Sequence, residues 1–155
     1  MCGEYVRVTP EGLRELIEDP DRIWTAIEEA TEVEDTSRGT DIDKAWHALS
    51  FLAARAGFEI DFVLGGTPLG EDNGYGPARY LSPDEVRTVS TELSRTGFDQ
   101  LSQGVELAEL AEQQIYPSIW DEPDALDYVR GNYDDLVVFF AGAAKAGDVV
   151  VTIIT

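Results

Sequence analysis

The chain predicts an α+β fold: a single domain over residues 1–155, mostly helical, with a small mixed or antiparallel sheet in which the C-terminal strand is central. Three observations carry that expectation. Strand-like segments do not alternate strictly with helical ones, which favours α+β over a doubly wound sheet. The last segment, Asp148 to Thr155, is near-continuously apolar through Val149, Val150, Val151, Ile153 and Ile154, the pattern of a strand covered on both faces. Several stretches between the ends carry helix-start and helix-stop residues around apolar positions spaced three and four apart.

Taken in order, Glu4 to Val8 alternates, with Val6 and Val8 on one face and Tyr5 and Arg7 on the other, so the first strand lies here. Thr9 is an N-cap followed by Pro10, which starts a short helix through Leu13, Leu16 and Ile17. Asp19-Pro20 repeats the device and opens a second helix carrying Ile23, Trp24 and Ile27. Residues 31–40 are polar and acidic and read as a loop. Thr40-Asp41-Ile42-Asp43 caps a third helix that ends at Gly57. Its stripe is Ile42, Ala45, Trp46, Leu49, Leu52, Ala53 and Ala56.

Beyond it, Ile60, Phe62 and Leu64 alternate and predict a strand ending at Gly65-Gly66. A glycine-rich loop (Gly70, Gly74, Gly76) leads to a short strand from Ala78 to Leu81. Ser82-Pro83-Asp84-Glu85 combines a capping box with proline at the first helical position, starting a helix through Val86, Val89 and Leu93. Residues 98–114 read as one or two short acidic helices around Leu101, Leu107 and Leu110, broken by Ile115-Tyr116-Pro117. The last helix begins near Glu122-Pro123, buries Val129, Tyr133, Leu136, Val137, Phe140, Ala143 and Ala144, and closes at Gly147.

Charge narrows the function. Asp and Glu number 31 against 11 Lys and Arg, a net charge of −20, and no basic side chain occurs between Arg95 and Arg130. Nucleic-acid binding draws on Lys and Arg that release counterions from phosphates, so DNA, RNA and anionic lipid surfaces are excluded as partners. Basic proteins and cations are what such a surface attracts. Hydrophobic residues make up 43% of the chain, enough for a core despite the charge. No apolar run approaches the roughly 20 residues that cross a bilayer, and the N-terminus lacks the basic and apolar regions of a secretion signal. One cysteine permits neither an internal disulfide nor a multi-cysteine zinc site. The expectation is a cytoplasmic protein without cofactor or metal.

Candidate chemistry is sparse. With Met1 removed, Cys2 would offer a thiol and an α-amine base together. Met1-Cys2-Gly3 is similar to the start of class II glutamine amidotransferases. With Tyr5 it also resembles the peptidase-like proteins that crosslink abasic DNA. The downstream motifs of both families are absent and the charge opposes the second, so Cys2 reads as a terminal thiol of no special role. His47 is the only imidazole; Asp43 precedes it by four residues and, on a regular helix, would fix its tautomer. That pair with Ser50 fits a general base at the edge of buried surface, although such a histidine is more often a hydrogen-bonded boundary residue. Gly65-Gly66 and the run from Tyr75 to Tyr80, with Arg79 as an anchor, suggest a phosphate cradle but lack the P-loop lysine and dinucleotide spacing. Glu28, Glu29, Glu32, Glu34 and Asp35 lack EF-hand spacing and read as a solvated face. Tyr116, Trp120, Tyr128 and Tyr133 could line a cleft, although aromatics at such spacing are more often core.

Several segments in order then place the chain. They are Gly3-x-Tyr5-x-Arg7-Val8-Thr9-Pro10, the run from Asp41 to Leu49 with its Asp-Lys-Ala-Trp-His, Leu64-Gly65-Gly66, the run from Tyr75 to Leu81, and Ile115-Tyr116-Pro117 with Trp120. On these the whole chain resembles the YfbM-like bacterial family, a group classed as of unknown function. The resemblance implies an α+β domain of this length and no established reaction, cofactor or catalytic set.

Two functions follow. The first is a non-enzymatic binding protein that docks onto a basic protein. The alternative is a small-molecule-binding domain or enzyme whose pocket gathers Asp43, Trp46, His47, Tyr75, Arg79, Tyr116 and Trp120. With Trp46 on the buried stripe, Trp46→Ala is expected to lower stability by about 3–5 kcal/mol in denaturant unfolding. Little loss would mark a surface indole instead.

Overall fold

The structure, a computed structural model, describes residues 1–32 and 37–155. Five strands, β1 (Gly3–Val8), β2 (Gly39–Asp41), β3 (Thr67–Leu69), β4 (Ala78–Leu81) and β5 (Val149–Ile154), form one sheet in the order β2-β1-β5-β4-β3. Every pairing is antiparallel. The apolar C-terminal run is central, as its two-faced pattern predicts. It pairs with β1 from Gly3↔Ile154 to Val8↔Val149, and on its other edge with β4 from Arg79↔Thr152 to Leu81↔Val150.

Among the described residues seven α-helices surround the sheet: α1 (Pro10–Glu18), α2 (Arg22–Glu32), α3 (Trp46–Ala56), α4 (Pro83–Arg95), α5 (Phe98–Leu101), α6 (Leu107–Glu112) and α7 (Ala125–Ala146). The sheet divides the interior in two. Tyr5, Leu81, Val150 and Ile154 pack with α3, α4 and α7. Val6, Leu69, Val149, Val151 and Ile153 pack with Leu16 of α1 and Ile23 of α2. The alternation read in β1 thus separates two cores. Phe139 joins the larger one beside Phe140, although it falls outside the predicted stripe of α7.

Local chemistry sets the helix ends. The Thr9 hydroxyl accepts from the Gly12 N–H at 3.0 Å. Both hydrogen bonds of the capping box form at the start of α4, between Ser82 and Glu85. The chain leaves α3 and α7 through Gly57 and Gly147 at φ 82° and 72°, a left-handed turn that glycine enters without steric cost.

Four expectations change. The strand predicted around Ile60, Phe62 and Leu64 is a turn. Asp61 Oδ1 accepts from the N–H groups of Val63 and Leu64 at 2.8 and 2.9 Å, and the Asp61 carbonyl accepts from Gly65 at 2.8 Å. A carboxylate that captures neighbouring amides offers the backbone an alternative to a ladder. β2 and β3, three residues each, went unpredicted because they are too short to show a period; Pro68 is tolerated on β3 because it is an edge strand. α2 opens at Arg22 rather than at Asp19-Pro20, since Asp19 closes α1 with its N–H on Glu15 O at 2.9 Å. The loop expected over 31–40 falls partly on residues 33–36, which lie outside the described residues together with Glu34 and Asp35; Glu32 is helical and Gly39–Asp41 is strand. Among the described residues no helix is long and apolar enough to cross a membrane.

One buried ion pair ties β1 to the start of β5. Arg7 Nε and Nη2 both donate to Asp148 Oδ2 at 3.0 Å, and Nη1 donates to the Ser37 carbonyl at 3.0 Å. Their side chains are 12% and 7% exposed. Removing one partner of such a pair strands the other charge, so Arg7→Ala is expected to lower stability by about 3–5 kcal/mol in urea unfolding. Arg7→Ala with Asp148→Ala should cost less than the sum of the two single changes.

Candidate functional site

The site lies where the start of α3 meets the segment joining α6 to α7. α6 ends with Gln114 N–H on Ala111 O at 3.1 Å and Ile115 N–H on Leu110 O at 3.0 Å, the two bonds of a Schellman motif. Gln114 holds the left-handed position at φ 54°, where glycine is usual. This turn throws the chain back over α3. There the Tyr116 N–H donates to His47 Nδ1 at 3.0 Å. The contact needs a lone pair on Nδ1, so the neutral ring carries its proton on Nε2. Burial lowers the proton affinity of His47 below its ordinary value. The Trp46 and His47 rings stack at 5.2 Å, and Tyr116 lies 5.9 Å from the Trp46 ring. Buried Trp120 donates from Nε1 to the Ile115 carbonyl at 2.6 Å. Trp46 itself is half-buried.

Asp43 belongs to a second, adjoining group. Residues Asp43–Ala45 form a 3₁₀ turn before α3, with Asp43 N–H on Asp41 Oδ1 at 3.0 Å. The tighter turn takes Asp43 off the α-helical wheel. It therefore makes no hydrogen bond to His47, contrary to the four-residue spacing. Its Oδ2 accepts from the Tyr128 hydroxyl at 2.8 Å and its Oδ1 from the Cys2 thiol at 3.4 Å. The Tyr128 oxygen in turn accepts from the Lys44 N–H at 3.0 Å. The Tyr128 hydrogen bond, foremost, holds the Asp43 carboxyl below its ordinary range. Burial, then the neighbouring Asp43 carboxylate, pushes both Tyr128 and Cys2 up. A raised thiol stays protonated, the reverse of what a nucleophilic cysteine needs.

Arg79 and Tyr75 lie apart from these groups. Arg79 sits on β4 between Pro68 and Thr152, and its Nη1 donates to the Gly66 carbonyl at 3.3 Å. Tyr75 is 57% exposed. Among the described residues no hydrogen bond, ion pair or ring contact joins either to Asp43, Trp46, His47, Tyr116 or Trp120. The phosphate-cradle reading also fails on geometry. Asp72 Oδ1 already accepts from Gly74 and Gly76 N–H at 2.7 and 2.9 Å, filling the amides an anion would need.

Beside Tyr128 opens a cleft of about 520 Å³. Four carboxylates line it, Asp43, Glu122, Asp124 and Asp127, against one cation, Lys44. Pro117, Ile119 and Ala125 supply its apolar surface. The acidic members from Glu122 to Asp127 went unselected in the sequence; their only signal is their place in the stretch without basic side chains. Among the described residues no group of three or more His, Cys, Asp or Glu side chains fits a metal ion.

These features define a class: an α+β domain with an antiparallel sheet covered on both faces and an acidic cleft beside a histidine–aromatic cluster. The family model described as a domain of unknown function, DUF1877, matches residues 1–153, and the chain belongs to that family. Among solved structures it is similar to the crystal structure of YfbM from Escherichia coli, a protein of unknown function, at a TM-score of 0.73 and 21% identity over 100% of both chains. At that identity the likeness shows the fold. No curated protein matches.

The Schellman turn generates a prediction. A non-glycine residue in the left-handed region carries a steric cost of about 1–2 kcal/mol. Gln114→Gly is expected to raise stability by about 1 kcal/mol, read as a higher denaturation midpoint at unchanged slope.

Proposed function

We propose that this domain is a non-enzymatic binding protein that docks onto a basic protein segment, with the cleft beside Tyr128 receiving an arginine or lysine side chain. The observation that carries this reading is the lining of the cleft: four carboxylates against one ammonium, around apolar Pro117, Ile119 and Ala125. A long basic side chain lays its methylene stem on apolar surface and presents its charge to carboxylates. Asp43, held below its ordinary range, stays ionised through the neutral pH region. The net charge of −20 adds long-range attraction, which speeds encounter with a basic partner and fades with salt.

The pocket gathered from seven residues has weaker support, because Arg79 bonds Gly66 and His47 Nδ1 is occupied by a backbone amide.

The test is calorimetric titration with an acetylated oligo-arginine peptide at low and high ionic strength. Binding at low salt should weaken on adding salt. Asp124→Asn with Asp127→Asn should reduce affinity about tenfold, whereas Glu11→Gln with Glu18→Gln on α1 should leave it nearly unchanged. Absence of binding, or equal losses in the two double variants, would sink the docking reading.

A further inference from the structure

We infer that His47 is a pH-sensitive latch for the Tyr116 backbone in the segment 115–120, holding its amide as a neutral ring and releasing it on protonation. Among the described residues the bond from the Tyr116 N–H to Nδ1 is the one hydrogen bond between this segment and α3. The other backbone and indole bonds along it are local. Ile115 bonds Leu110 at the end of α6, Ile119 N–H reaches Pro117 O at 2.9 Å, and the Trp120 indole reaches Ile115. Ile115 and Trp120 anchor the segment in the larger core, so the latch acts on the Tyr116 backbone between them: a single acceptor atom, backed by the contacts of Trp46 with His47 and Tyr116.

That atom is titratable. Protonating Nδ1 replaces a lone pair by an N–H aimed at another N–H, which removes the bond and sets two donors against each other. The charged and titratable groups around the ring are few. On its own side of the fold Asp43 and Lys44 precede it, with the Asp43 carboxylate bonded to Tyr128 and Cys2. The overlying segment contributes the Tyr116 phenol. Burial, rather than a nearby charge, lowers the ring's proton affinity in the closed form. The sign follows from the two forms. A released ring titrates at the ordinary imidazole value and the closed ring below it, so protons favour release. Closure is fully favoured above the ordinary value and weakens as pH falls through it toward the lowered value.

Release also bears on the cleft, since Pro117 and Ile119 form part of its apolar surface. This consequence rests on the docking reading; the latch itself does not. The first experiment therefore uses no peptide.

Amide exchange and ¹⁵N chemical shifts of Tyr116 would be followed from about pH 8 to about pH 5, together with the His47 ring carbon, which titrates alone as the only imidazole. The Tyr116 amide is expected to lose about tenfold in exchange protection, after correction for intrinsic exchange, with the same midpoint as the ring. His47→Asn places an uncharged acceptor near the Nδ1 position, so it should keep the amide protected and abolish the pH response. Constant protection while the ring titrates, a ring that does not titrate before the protein unfolds, or an unchanged pH response in His47→Asn would each overturn the latch. In a second arm, the oligo-arginine peptide should lose affinity between about pH 7.5 and about pH 5.5 in the wild type and less in His47→Asn. Equal losses would overturn the link to the cleft while leaving the latch standing.

Discussion

The rest of the structure depends on the burial of β5. A strand paired along both edges and apolar on both faces has no solvent side, so every other element is placed by the need to cover it. β1 and β4 supply the two edges, although they lie far from β5 in sequence. α1 and α2 cover one face, and α3, α4 and α7 cover the other. Polar groups brought inside beside β5 find partners there. The Thr152 hydroxyl reaches Val63 O at 3.5 Å, the Tyr5 hydroxyl reaches Phe62 O at 3.1 Å, and Arg7 meets Asp148. Burial without such partners would cost about 1–3 kcal/mol for each group.

A second constraint comes from the composition. The acidic excess is not only a solvated coat. Asp41, Asp61 and Asp72 each accept backbone N–H groups and fold a turn around themselves. Glu85 closes a helix cap, and Glu92 Oε1 accepts from the Glu59 N–H at 2.8 Å. A chain with so few cations uses backbone amides as partners for its carboxylates. Glu122 and Asp124 instead face a cleft, together with Asp127, which Arg130 also reaches at 4.0 Å. The same economy explains the glycine-rich loop, where a carboxylate of the chain itself occupies amides of the kind that bind phosphate elsewhere.

The candidate site joins these constraints. Tyr128 and Tyr133 lie on one helix, and both resemble core aromatics in sequence. Tyr133 is buried, with its hydroxyl on Thr96 O at 2.6 Å and Leu93 O at 3.3 Å. Tyr128, at the rim, bonds a carboxylate and a backbone amide. His47 behaves as a hydrogen-bonded boundary residue, but its partner is a backbone amide sixty-nine residues away rather than the acid one turn before it.

Much of the fold was legible because its signals are local. The N-caps at Thr9 and Ser82, the glycine stops at Gly57 and Gly147, the alternation of β1 and the two-faced run of β5 each express a conformational preference within a few residues. The family segments were legible for the same reason. The site was not, because it is made by contacts between segments that local pattern leaves independent. Whether Asp43 turns toward His47 or Tyr128 depends on a 3₁₀ turn and on how α7 packs. Whether Arg79 joins them depends on strand register, and the register directs it to Gly66. The sequence by itself determined the helix caps, the central strand and the excess of negative charge. Only the tertiary structure decided which carboxylates serve turns and which line a cleft, since that choice rests on which unpaired donors the packed chain brings within reach.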